Sequence, residues 1–137
     1  MSNESFIRWQ ERTISQMGYA INTILVLETA TLGFISDKLV NNKFCSCSKN
    51  MVVSGATILV ISISILLSTI LVRLKDFRLT AHIARSREKG EKTNLGKYRA
   101  QSKMLGRRTW ILFCLSTVLF IISELLIVLA ITIEAVN

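Results

Sequence analysis

Three sets of residues in this chain have the type and spacing to do chemistry. Ser54, Thr57, Ile61, Ser64 and Ser68 recur at intervals of 3, 4, 3 and 4, which aligns four hydroxyls along one face of a helix. Hydroxyls in such a row can line a narrow wet path between symmetry-related helices. Small hydroxyl residues also let helices approach closely and hydrogen-bond across the contact, so helix packing is the competing reading. The same stripe continues through Leu71 to Lys75, Arg78, His82, Arg85 and Lys89, where hydroxyls give way to cations. Cations converging from several copies of such a helix make an electrostatic funnel for a nucleotide or a short single strand, with Tyr98 the one aromatic placed to stack a base. His82, the sole histidine, also reads simply as a residue of the helix surface.

The third set is a pair of acids inside apolar runs. Glu28 falls near the middle of one and Glu124 past the middle of another. A charged carboxylate facing lipid costs ~2.5–3.5 kcal/mol on an insertion scale, so neither is expected to do so. Protonation, cation binding in a pore, and hydrogen bonding to Asn22, Thr29, Ser123 or a neighbouring subunit all stay open. The two acids could sit at similar depth, and Glu28 is the stronger functional candidate because it is deeper in its run and flanked by the small residues Thr29, Ala30, Thr31 and Gly33.

The elements that carry these residues follow from hydropathy. Runs at 17–36, 51–72 and 109–133 are each about 20 residues or slightly more, the length a helix needs to cross ~30 Å of hydrocarbon. Backbone polar groups in lipid must be satisfied within the segment, so the expected fold is all-α, with three transmembrane helices. The first run starts late and is too long for a signal-peptide core. Lysine and arginine number two in residues 1–16, three in 37–50, twelve in 73–108 and none in 134–137. The positive-inside rule then predicts a cytoplasmic N-terminus, an extracytoplasmic 37–50 loop and an extracytoplasmic C-terminus. Residues 1–16 read as an amphipathic helix in the inner interface, with Phe6, Trp9, Thr13 and Met17 on one side. An extension of the first span is the alternative.

No glycine or proline interrupts the chain between Ala56 and Lys89, so the second helix is expected to leave the bilayer unbroken. Gly90 marks a turn, and Thr93 or Asn94 a cap for the returning helix. Residues 73–108 therefore predict a cytoplasmic basic helical hairpin extending spans two and three. Leu74, Phe77, Ala81 and Ala84 form its expected apolar seam against Leu95, Tyr98, Ser102 and Leu105. Its twelve basic and three acidic residues leave a surplus larger than orientation requires. Attraction to anionic lipid, about 1 kcal/mol per basic residue near the surface, accounts for it as readily as a nucleotide does.

The remaining features exclude more than they assign. Cys45 and Cys47 are too close for a relaxed disulfide and too few for structural zinc, and Cys114 lies within an apolar run. No cofactor is expected. An enzyme is the least expected class, since the cytoplasmic segment holds no nucleophile–histidine–acid set, metal cluster or phosphate-cradling glycine loop.

Arg8-Trp9-Gln10, Thr13-Ile14, Tyr19, Asn22 and Gly33-Phe34 form a pattern with DFRLTAHIARSRE at 76–88, Leu105-Gly106, Thr109-Trp110 and Phe113. On these residues the chain resembles a family of small bacterial three-span membrane proteins, across nearly its whole length. Such proteins are similar to membrane effectors of anti-phage defence, including the Hailong type, in which a nucleotidyltransferase product controls an oligomeric channel. The resemblance implies that the basic hairpin reads an oligonucleotide and that the spans form the gate. Three helices cannot surround a conduit, so a pore requires a homo-oligomer. A non-conducting adaptor that recruits a protein partner or anionic lipid is the alternative.

Overall fold

The computed structural model describes residues 3–41, 46–88 and 95–136, all helical. Helix α1 spans Asn3–Asn41, α2 Ser46–Glu88 and α3 Leu95–Val136. Each is long and apolar enough to cross a membrane, over Ser15–Asn41, Ser48–Ile83 and Gly96–Val136. At 1.5 Å per residue the 43 residues of α2 extend ~65 Å, about twice a hydrocarbon core. α1 runs unbroken from Asn3, so no turn separates residues 3–16 from 17–36. The expected turn at Gly90, the caps at Thr93 or Asn94, Lys89 and Cys45 lie outside the described residues, as do the side chains of Phe6, Trp9, Cys47, Ala84 and Leu95.

A seven-residue repeat of small side chains joins α2 to α3. On α2 it is Ser48, Gly55, Ser62 and Thr69; on α3 it is Thr109, Ser116, Ser123 and Ala130. All eight are buried. The Ser123 hydroxyl donates to the Gly55 carbonyl at 2.8 Å, and the Ser62 hydroxyl lies 2.9 Å from the Ser116 carbonyl. Further along, the Ser102 hydroxyl donates to Asp76 Oδ1 at 2.7 Å, and the rings of His82 and Tyr98 meet with centroids 5.3 Å apart. The α3 number falls as the α2 number rises, so the helices are antiparallel in one register from Gly55 to His82. A repeat of seven keeps small residues in the contact as the helices wind left-handed around each other. Leu59, Leu66 and Val52 on α2 and Ile127 on α3 fill the space between the small residues.

That register displaces the expected apolar seam of the basic segment. Asp76 lies seven residues past Thr69 and Ser102 seven before Thr109, so the small-residue repeat carries this pair into the contact. Leu74, Phe77 and Ala81 are exposed instead, whereas Tyr98, Ser102 and Leu105 are half-buried on the α3 side.

α1 packs on this pair more sparsely, through Ile21, Glu28 and Ile35, again seven residues apart. A core of Ile35, Val52, Leu59, Ile127 and Ala130 joins the three helices toward the C-terminal end of α1.

Gly55 is a point of close approach between α2 and α3. A Cβ there would stand 2.9 Å from Ile127 Cγ1 and 3.4 Å from the Ser123 carbonyl oxygen. Gly55→Val is therefore expected to destabilise the bundle by roughly 1–3 kcal/mol, read by reversible unfolding in mixed micelles. Gly33→Ala meets nothing within 4 Å and should be neutral or stabilising by up to ~1 kcal/mol. Equal effects at the two sites would refute the close approach.

Candidate functional site

Glu28 is where the three helices exchange polar contacts. It is fully buried, and its Oε1 accepts a hydrogen bond from the Ser62 hydroxyl of α2. Ser62 Oγ lies 3.1 Å from Ser116 Oγ of α3, and the Ser116 hydroxyl also approaches the Ser62 carbonyl at 3.3 Å. One hydroxyl carries one hydrogen, so a consistent chain runs from Ser116 to Ser62 to the carboxylate. Glu28 Oε2 is buried with no hydrogen-bond partner. Burial inside the bundle keeps the carboxyl off the outer surface of the helices, where a charged group facing lipid would cost ~2.5–3.5 kcal/mol.

None of the partners anticipated from sequence within the chain serves Glu28. The Thr29 hydroxyl donates to its own helix at Leu25 and Val26, Ser123 is committed to Gly55, and Asn22 is exposed. Ser62 is the partner that the sequence reading missed, itself backed by Ser116, and the signal for it was its place in the seven-residue repeat. Glu124 does not share the depth of Glu28. It lies eight residues beyond Ser116, ~12 Å further along α3, half-buried with Oε1 lacking a partner.

The hydroxyl stripe lies away from this node. Ser54, Thr57, Ile61, Ser64 and Ser68 are all exposed, on the side of α2 turned away from the α3 seam. Its hydroxyls bond within their own helix: Thr57 donates to Val53, Ser64 to Val60 and Ser68 to Ser64, at 2.8–2.9 Å. Lys75, Arg78, His82 and Arg85 continue the stripe and are also exposed. The structure thus keeps hydroxyls and cations on one outward face and separates Glu28 from both.

Tyr98 is half-buried against His82, with the rings inclined at 54°. Cys114 is a free, exposed thiol, and among the described residues no group of three or more His, Cys, Asp or Glu is placed to hold a metal ion.

Comparison with protein-family models, curated proteins and solved structures finds no match.

The node makes a specific energetic prediction. Ser62→Ala removes the donor to Glu28 and should cost about 1–3 kcal/mol of bundle stability. Ser62→Ala combined with Glu28→Leu should recover part of that loss, because neither polar partner then remains buried alone. A double-mutant cycle over these variants in detergent unfolding should return a coupling of at least ~0.5 kcal/mol. Strict additivity would show that the two side chains do not support each other.

Proposed function

We propose that this chain is a homo-oligomeric ion channel of the bacterial inner membrane, gated by an anionic nucleotide or oligonucleotide at its basic helical ends. The N-terminus and the 73–108 segment face the cytoplasm and the C-terminus lies outside, because twelve of the seventeen lysines and arginines fall in that segment. The observation that carries the proposal is the outward face of α2. Four hydroxyls there continue directly into Lys75, Arg78, His82 and Arg85, and every one of these residues is exposed in a single chain. Copies of α2 brought together through this face enclose a path with hydroxyls in the membrane and cations at its cytoplasmic mouth. Glu28 in this scheme clamps the protomer and does not line the path. Resemblance to anti-phage effectors supports a role in such a defence, with a nucleotidyltransferase product as the ligand.

The internal hydrogen bonds of Thr57, Ser64 and Ser68 favour a second reading. Hydroxyls satisfied by their own helix can face another dry helix without water. The stripe is then a packing surface of a non-conducting adaptor, and the basic segment recruits a protein partner.

Planar-bilayer conductance separates the two. Purified protein should give discrete currents that change when nucleotides or short single strands reach the basic side. Arg78→Glu with Arg85→Glu should abolish the response, and Ser64→Leu with Ser68→Leu should abolish the current. A silent bilayer containing oriented, oligomeric protein, with and without ligand, would sink the channel and favour the adaptor.

A further inference from the structure

α1 leaves two adjoining clefts against α2 and α3, at the point where the uncharged stretch of α2 ends. One, of about 240 Å³, is lined by residues that include Thr13, Met17, Asp76, Gly106 and Trp110. The other, of about 160 Å³, has Gly18, Ile21, Asn22 and Ile70 in its wall. Arg73 and Phe77 belong to both. Residues 50–72 carry no charge, so Arg73 is the first ionic group after the apolar span.

The lining is ordered along α2 by polarity. Ile70 faces the apolar end, Arg73 follows, and Asp76 stands one turn beyond. Gly18 makes room for the guanidinium, since a Cβ there would meet Arg73 Nη1 at 3.4 Å. The Phe77 ring steadies the other side, with its centroid 5.5 Å from Arg73 Cζ. Arg73 already engages another group of the protein, and its five N–H donors leave capacity for more. Asp76 is held at Oδ1 by Ser102, and a carboxylate has further lone pairs to offer.

Apolar wall, guanidinium, carboxylate: this order matches acyl chain, phosphate, ammonium. We propose that the cleft binds the headgroup of a phosphatidylethanolamine-type lipid, with phosphate on Arg73, ammonium on Asp76 and the chains leaving past Ile70 and Ile21. A purely anionic headgroup would set negative charge against Asp76. A choline headgroup has no N–H to donate to it. The site rests on the reading of the chain as membrane-spanning, but not on conduction.

The test is native mass spectrometry of delipidated full-length protein offered equal amounts of phosphatidylethanolamine, phosphatidylcholine and phosphatidylglycerol with matched chains. The ethanolamine lipid should be retained roughly tenfold over either competitor, the effect of about one charge-assisted hydrogen bond. Arg73→Gln should erase the preference. Gly106→Leu should erase it too, by growing into the cleft from a position where a Cβ meets nothing within 4 Å. Its thermal midpoint should match or exceed wild type, since leucine replaces a helical glycine. Equal retention of the three lipids, undiminished preference in Gly106→Leu, or displacement by soluble phosphoethanolamine would overturn the assignment. Alkaline washing of membranes distinguishes the failures. Protein released by the wash sinks the membrane reading itself, while protein retained but without preference sinks the lipid site alone.

Discussion

Three helices long and apolar enough to cross a membrane would gain little in hydrocarbon by hiding apolar surface, so their association would have to come from close contact and hydrogen bonds. The seven-residue repeat on α2 and α3 supplies both. Gly55 brings the backbones near enough for Ser123 to reach its carbonyl, and the Ser62–Ser116 pair repeats the arrangement one heptad along. Once these small residues face each other, little freedom remains. The register propagates to Asp76 and Ser102, the leucines fall between the small positions, and Ser54, Thr57, Ser64 and Ser68 are turned outward.

α1 is held differently. Its contact with the pair is sparse, and Glu28 is its fully buried polar group. The Ser62–Ser116 pair admits two hydrogen-bond patterns, because each serine can donate to the other's backbone carbonyl or along the chain toward Glu28. With the serines bonded reciprocally, Glu28 Oε1 receives no hydrogen from Ser62. The attachment of α1 is thus coupled to the hydrogen-bond pattern inside the other two helices.

Hydropathy made three long apolar helices readable, because apolar runs of about twenty residues admit little else. The absence of a breaker between Ala56 and Lys89 made the continuity of α2 readable, and the structure extends that helix to Glu88. The hydroxyl stripe and the small-residue seam were harder to separate. Both repeat at 3-4 spacing on one helix, and periodicity alone does not say which face turns inward. Gly55 belongs to the seam and not to the stripe, and its missing side chain lets Ser123 reach its carbonyl. The partner of Glu28 was missed because the candidates were sought on spans one and three. The hydroxyl that reaches it, Ser62, belongs to span two and to a register visible only when α2 and α3 are read together. In the basic segment, apolar side chains suggested a seam, yet on the α2 side the repeat set upstream placed Asp76 against Ser102 and left Leu74, Phe77 and Ala81 exposed.

A pair of helices pinned along most of its length behaves mechanically as one stiff rod. Contacts from Gly55–Ser123 to His82–Tyr98 tie α2 to α3 at intervals along that stretch, and neither helix contains a proline to bend it. A force applied near Lys75 or Arg85 is therefore not absorbed locally. It tilts the rod as a whole and moves the opposite end through a comparable arc. The compliant joint is the sparse contact with α1, which makes that helix the mount on which the lever pivots.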